Sequence, residues 1–315
     1  MAVAAGGRHR PPAWRRALPE NLTGWGFVLP ASLLVLGLGF FPVIWSFLLS
    51  TKAASGFGPE RSVGLANYRE LAHDPEWLDA VSRSLKFTLL YVPTTVLLGL
   101  GLALLLNQKI RGRSAIRVLI FVPYVISEVI VGTGWSLMLQ SSGAVNDLLR
   151  HVGLGFLQAE WLSDPKLAIW TLMGIISWKY IGFAVILFLA GLQGIPQELT
   201  EAAQIDGASY WQIQRRITLP LLGPTLRIWA FLSIIGSLQL FDLVYIIWGP
   251  YVAGTAGTST MAIYMVAQGR DAGNYGYGSA VAVVMFLISL IVALIYQRFV
   301  LRRDLRGAVT EGADR

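Results

Sequence analysis

The chain has 315 residues, of which 55% are hydrophobic and only 14% charged. A soluble domain carries about a quarter charged residues, so this composition excludes an ordinary water-soluble fold. The formal charge of +7 comes from Lys and Arg gathered at the ends of apolar blocks, a pattern of membrane topology rather than of nucleic-acid binding.

Chemistry is restricted as well. There is no Cys, and the three His, at 9, 73 and 151, stand far apart in tails and loops. No disulfide, thiolate metal site or cysteine nucleophile is available, and no cofactor or metal is expected.

Taken in chain order, residues 1–23 read as a basic tail. Six apolar segments follow, at 24–49, 85–106, 118–139, 167–190, 225–248 and 279–300, and residues 301–315 form a second tail. Each segment is about the twenty residues a helix needs to cross a bilayer. Each must be helical, because lipid offers no partner for free N–H and C=O groups. The first is too long for a signal-peptide core and lacks a small-residue cleavage site, so it reads as an anchor. Pro42, Pro93 and Pro123 fall inside segments as tolerated kinks. Gly99 with Gly101, and Gly132 with Gly134, allow close helix approach. The expectation is an all-α membrane protein with six transmembrane helices.

Orientation follows the positive charges. Arg8, Arg10, Arg15 and Arg16 precede the first span; Lys109, Arg111, Arg113 and Arg117 follow the second; Arg215 and Arg216 follow the fourth; Arg298, Arg302, Arg303 and Arg306 follow the sixth. The alternate loops hold fewer, and the first of them carries Glu60, Glu70, Asp74, Glu76 and Asp79. Both termini are therefore expected in the cytoplasm, with the loop at about 191–224 on the same side.

That loop is the most specific stretch. Pro196 suits a first helical turn, and Gln197 to about Ile205 read as a short helix with Ala202 and Ala203 as a thin face and Glu201 at its edge. Asp206-Gly207 is a strong turn dipeptide, with Gly free to take positive φ. Ser209 to Leu219 read as a second helix ended by Pro220 and Pro224. An ordinary amphipathic connector is the blander alternative.

Glu201-Ala202-Ala203, Asp206-Gly207, Ile217, Leu219 and Pro220 together resemble the coupling loop of permease subunits of carbohydrate-uptake ABC importers, the group of maltose and glycerol-3-phosphate permeases. The resemblance extends to Phe121-Val122-Pro123, Gly132, Trp135, Asn146, Trp161-Leu162-Ser163-Asp164-Pro165, Trp178-Lys179, Phe188-Leu189-Ala190-Gly191-Leu192-Gln193, Phe241-Asp242 and Tyr275-Gly276-Tyr277-Gly278-Ser279-Ala280. It implies a subunit in the cell membrane of a prokaryote with no catalysis of its own. A second permease subunit in a heterodimer, two copies of an ATPase, an extracytoplasmic solute-binding protein and a sugar substrate are the implied partners. Gln214 departs from the family, which often has Phe there; the departure implies either a weaker apolar contact with the ATPase or a partner with a more polar groove.

Charges and hydroxyls inside the spans come last. Glu128, near the middle of the third span, and Lys179, near the middle of the fourth, are expensive in lipid unless paired or hydrated. They either face the translocation path or form a buried ion pair. Ser233 and Ser237 stand one helical turn apart, near Phe241. The resemblance to maltose permease puts sugar contacts around these serines and around Tyr180 and Phe183. Back-bonding of such serines to their own helix is the alternative. A permease for glycerol-3-phosphate or another small polar solute, or a proton-coupled carrier using Glu128 and Lys179, is the competing function.

Overall fold

The computed structural model of the chain describes residues 20–56, 58–108 and 110–298. The expected tails therefore lie outside the described residues, apart from 20–23. The chain divides into two compact units, residues 1–48 and 49–315.

The first unit holds one helical run. α1 (Glu20–Leu34) passes through a π-helical stretch, Val35–Phe40, into α2 (Phe41–Leu49). Residues Trp25–Leu49 are long and apolar enough to cross a membrane, as the sequence predicts. The Ser46 hydroxyl donates to the Pro42 carbonyl, a bond within the turn that Pro42 itself occupies.

The second unit opens with a two-stranded ribbon. β1 (Lys52–Ala53) pairs antiparallel with β2 (Arg61–Ser62), Lys52 opposite Ser62. After α3 (Ala66–His73) comes α4 (Pro75–Asn107), which starts ten residues before the predicted apolar block. Asp74 explains that start. Its Oδ1 accepts from the amides of Glu76 at 2.8 Å and Trp77 at 3.2 Å, with Pro75 in the first turn, an N-cap of the usual kind. Its Oδ2 accepts from the hydroxyls of Tyr264 and Tyr277, the latter at 2.8 Å. Burial pushes the Asp74 carboxyl up. The bonds from Tyr264, Tyr277, Trp77 and Glu76 outweigh that and hold it below its usual value.

The predicted third span is two helices. α5 (Arg113–Val125) and α6 (Glu128–Met138) meet at 95° across Ile126-Ser127. Pro123 removes one backbone donor near the end of α5 and weakens its last turn. Ile126 and Ser127 are extended, with ψ of 137° and 143°. Glu128 therefore opens α6 instead of sitting mid-span, and its charge faces the favourable end of the helix dipole.

α7 (Ala144–His151) lies in the next connection, pinned by Asn146. Its side chain donates to the Ser141 and Ala159 carbonyls and accepts from the Trp161 indole at 2.8 Å. α8 (Ala168–Gln193) matches the fourth predicted span, with Lys179 near its middle. Two short helices follow, α9 (Gln197–Ile205) and α10 (Tyr210–Ile213). The second does not stop at Pro220 as expected. It widens into a π-helical turn over Gln214–Thr218, continues as α11 (Leu219–Leu221), and leads into α12 (Gly223–Leu238). The wider turn accommodates a proline that cannot donate to the carbonyl four residues back.

The predicted fifth span is likewise interrupted. α12 ends at Leu238 and α13 (Asp242–Thr255) begins after Phe241, whose φ of −131° and ψ of −62° leave the helical region. Gly249 then kinks α13 at φ +68°, just before Pro250. α14 (Met261–Val266) and α15 (Tyr275–Tyr296) complete the described chain. Among the described residues, five helical runs can cross a membrane, and the bent α5–α6 pair makes a sixth candidate.

α8 is the central packing element of the second unit, lying against α4, α5 and α12. A Cβ on Gly99 would stand 3.0 Å from that of Ala184, and one on Gly132 would run into Ile246. Both are therefore close-approach sites, whereas Gly101 and Gly134 face open space. Around this core Leu89, Leu97, Leu119 and Ile130 remain exposed, an apolar exterior suited to lipid.

Candidate functional site

A cavity of about 320 Å³ opens between α4, α5, α8 and α12. Tyr180 and Phe183 of α8 and Ser233 and Ser237 of α12, all picked out by sequence, line it together. Spacing explains their convergence. Trp229, Ser233 and Ser237 recur every four residues along one face of α12, and Phe87 and Tyr91 do the same on α4.

The two serines differ in their bonding. Ser237 Oγ lies 2.8 Å from Thr88 Oγ1 and 3.0 Å from the Ile234 carbonyl, so it largely fills the back-bonding role. Ser233 Oγ is buried with no hydrogen-bond partner. An unpaired buried hydroxyl is costly, and this one belongs to a residue that lines the cavity. Phe241 stacks on Tyr245 instead, 5.0 Å between ring centres.

Rings make up most of the remaining wall. Tyr124 stacks on Phe183 at 5.0 Å and meets Tyr180 edge-on at 6.0 Å, and Phe183 packs against Trp229 at 5.7 Å. Sequence reading missed Tyr91, Tyr124 and Trp229. The four-residue spacing is the signal that could have found Tyr91 and Trp229; Tyr124 reaches the wall because the chain turns just after it.

Glu128 and Lys179 form an ion pair at the α5–α6 break, 3.6 Å apart. Lys179 is only 2% exposed. Its ammonium donates to the Ile126 carbonyl at 2.6 Å and reaches Pro123 O at 3.5 Å. It thus satisfies carbonyls that the broken helix leaves without intrahelical donors. Glu128 Oε1 accepts from the Tyr180 hydroxyl at 2.6 Å. The pair stands behind the cavity wall and touches it through Tyr180, so neither of the two expected arrangements describes it alone.

The second candidate site is the α9–α10 turn. Gly207 has φ +78°, as the turn dipeptide predicts. Ser209 caps α10, with a reciprocal bond from its own amide to the Gln212 side chain at 2.7 Å, the capping-box arrangement. Glu201, Ala202, Asp206 and Pro220 are exposed, while Ala203, Ile217 and Leu219 are half-buried. Two apolar side chains flank the turn in the open: Ile205 is 87% exposed and Trp211 77%. Gln214 does not join that surface. It lies half-buried in a crease with Leu192, Gln193 and Tyr210, and its Oε1 is buried without a partner.

The family described as "binding-protein-dependent transport system inner membrane component" matches residues 71–304. The trehalose/maltose transport system permease protein MalF of Thermococcus litoralis is 34% identical, covering 88% of this chain and 93% of its own. The sulfoquinovosyl glycerol transport system permease protein SmoG of Agrobacterium fabrum is 33% identical over 93% and 96%. A chain of a bacterial alginate ABC transporter, solved in complex with its alginate pentasaccharide-bound periplasmic protein, shares the fold. Its TM-score is 0.79 at 24% identity, over 90% of this chain and 95% of that one.

Proposed function

The chain belongs to the family of binding-protein-dependent transport system inner membrane components, and from that premise we propose that it is one of two membrane subunits of an ATP-driven sugar importer. The observation that carries the sugar reading is the single cavity on which Tyr180, Phe183, Ser233 and Ser237 converge. Rings stack against the C–H faces of a sugar and hydroxyls pair with its OH groups. The permease names of similar proteins, with trehalose or maltose as cargo in one case, support the same class.

The α9–α10 turn is the coupling loop. Ile205 and Trp211 present apolar surface of the sort that marks a protein interface, and Glu201 and Asp206 add charge at its edge. An ATPase docks there, one copy under this subunit and one under its partner. ATP-driven approach of the two loops then switches the cavity between the two sides of the membrane. The partner is a second permease of different sequence, and a solute-binding protein delivers the sugar from outside. The subunit sits in the plasma membrane of a prokaryote with its termini and coupling loop in the cytoplasm.

The test is uptake by sealed vesicles holding the full complex. Labelled sugar bound by the cognate solute-binding protein should enter only when ATP is inside and that protein outside. Uptake driven by a proton gradient without ATP would refute the proposal.

A further inference from the structure

A hydroxyl on the cavity wall has one proton to give and two lone pairs to offer, so its use by a guest depends on where that proton already goes. At Tyr180 the destination is fixed. Its hydroxyl lies 2.6 Å from Glu128 Oε1, and that same oxygen is paired with the Lys179 ammonium at 3.6 Å. A carboxylate only accepts, so Tyr180 donates to it and has no proton left for the cavity. Ser237 reaches the same condition by another route. Its hydroxyl donates to Thr88 Oγ1 at 2.8 Å and to the Ile234 carbonyl at 3.0 Å, while Thr88 gives its own proton to the Ser84 carbonyl at 2.8 Å. The Trp229 indole N–H is likewise directed at Thr95 Oγ1, 3.3 Å away. Three residues that line the cavity thus have their protons committed to the protein, and two of them, Tyr180 and Ser237, keep lone pairs.

We infer that Tyr180 and Ser237 serve a guest as acceptors, and that Glu128 is the positioning residue that sets this polarity at Tyr180. The cavity then selects saccharides that present free hydroxyls to these two points. A ring or glycosidic oxygen, an O-methyl group or a fluorine placed there sets acceptor against acceptor and leaves a bond unmade. A site built to pair a hydroxyl rejects the analogue without it far more strongly than one of slightly different size. The inference rests on the reading of the cavity as a sugar site, which the vesicle uptake test probes on its own.

Gly236 reports whether the cavity is filled. It lines the cavity, a Cβ built on it meets nothing within 4 Å, and the chain has no Cys of its own. A Gly236→Cys chain in its full membrane complex, held in nanodiscs, is labelled with a neutral methanethiosulfonate in the presence of cyclohexanol or cyclohexanone. The two rings are nearly equal in size, but the alcohol donates and the ketone only accepts. The concentration that halves the labelling rate, corrected for each probe's partition into lipid, should be about fivefold lower for the alcohol, the weight of one hydrogen bond. Equal values overturn the inference and leave the uptake result standing. Labelling that neither probe slows overturns it as well, because the hydroxyls are then out of a guest's reach.

Two variants locate the effect. Tyr180→Phe in the Gly236→Cys chain should reduce the preference by weakening the alcohol. Glu128→Leu combined with Lys179→Met frees the Tyr180 proton, so the ketone should protect at a lower concentration than before. A loosened wall would weaken both probes and cannot produce that gain. A preference left unchanged by Tyr180→Phe removes Tyr180 and Glu128 from the assignment, and this comparison decides the matter even if the double substitution prevents assembly.

Discussion

Replacing Lys179 by Met should destabilise the protein more than replacing Lys179 and Glu128 together. The single change removes the donor to Ile126 O and leaves Glu128 beside the break with only Tyr180 for a partner. Breaking a buried pair costs about 3–5 kcal/mol. The lower end applies, because the Glu128 side chain keeps 26% of its exposure. Lys179→Met combined with Glu128→Gln removes the stranded charge and leaves chiefly one carbonyl without its donor, at about 1–2 kcal/mol. With about 2–4 °C lost per kcal/mol in a domain of this size, the single variant should melt about 6–12 °C below the parent. The double variant should lose roughly half of that. Thermal unfolding of the detergent-purified chain, followed by loss of monodisperse protein, measures both. A double variant that melts below Lys179→Met, or a Lys179→Met chain that melts like the parent, would refute the clamp.

Three further outcomes are expected. Gly207→Pro cannot adopt the φ of +78° found at the turn, so uptake should vanish while membrane insertion and protein level stay normal; wild-type ATPase binding and substrate-stimulated hydrolysis would break the coupling assignment. Asp74 has a lowered pKa in the folded chain, so its stabilisation is complete above its unfolded value near ~4 and disappears as pH falls through the folded value. Asp74→Asn should lower the melting temperature at pH 7, and the gap to the parent should close on acidification below about pH 4; a gap independent of pH argues against the carboxylate. For topology, cysteine replacing the exposed Ser141 should react with an impermeant thiol reagent in intact cells, and one replacing exposed Gln212 only after lysis. Labelling at 212 from outside would overturn the orientation.

Much of this molecule was legible before any coordinates. The spans announce themselves because lipid requires long apolar runs, and α9 with its turn was readable because Pro196, Asp206 and Gly207 each impose a local backbone choice. The interruptions were not. Pro123 was visible as a kink, but a 95° turn there requires a donor for the freed carbonyls, and Lys179 lies 56 positions downstream. Likewise the break before Asp242 depends on Thr260, whose hydroxyl donates to Leu240 O at 2.6 Å. Thr258, which falls between the fifth and sixth predicted spans, is 1% exposed, because burial is set by helices remote in the chain. Ser233 and Ser237 could be placed on one face of a helix, whereas the identity of the facing wall, above all Tyr91 and Tyr124, was a tertiary fact.

From the Ser209 cap to Leu238 the helical elements follow one another with Leu222 alone between them. The helical bonds run through the widened turn at Gln214–Thr218 and on through Leu222, whose amide bonds to Thr218 O and whose carbonyl accepts from Leu226. The helical run that begins beside the Gly207 turn therefore also carries Ser233, two dozen residues and about 36 Å of helical rise beyond Ser209, and Ser237 one turn further. Such a run has a phase as well as a length. Deleting one residue from the ordinary helix between Leu226 and Leu232 would rotate everything beyond it by about 100°. The two serines would then face away from Tyr180 while the loop kept its shape. The length of this stretch should thus tolerate substitution far better than a single insertion or deletion.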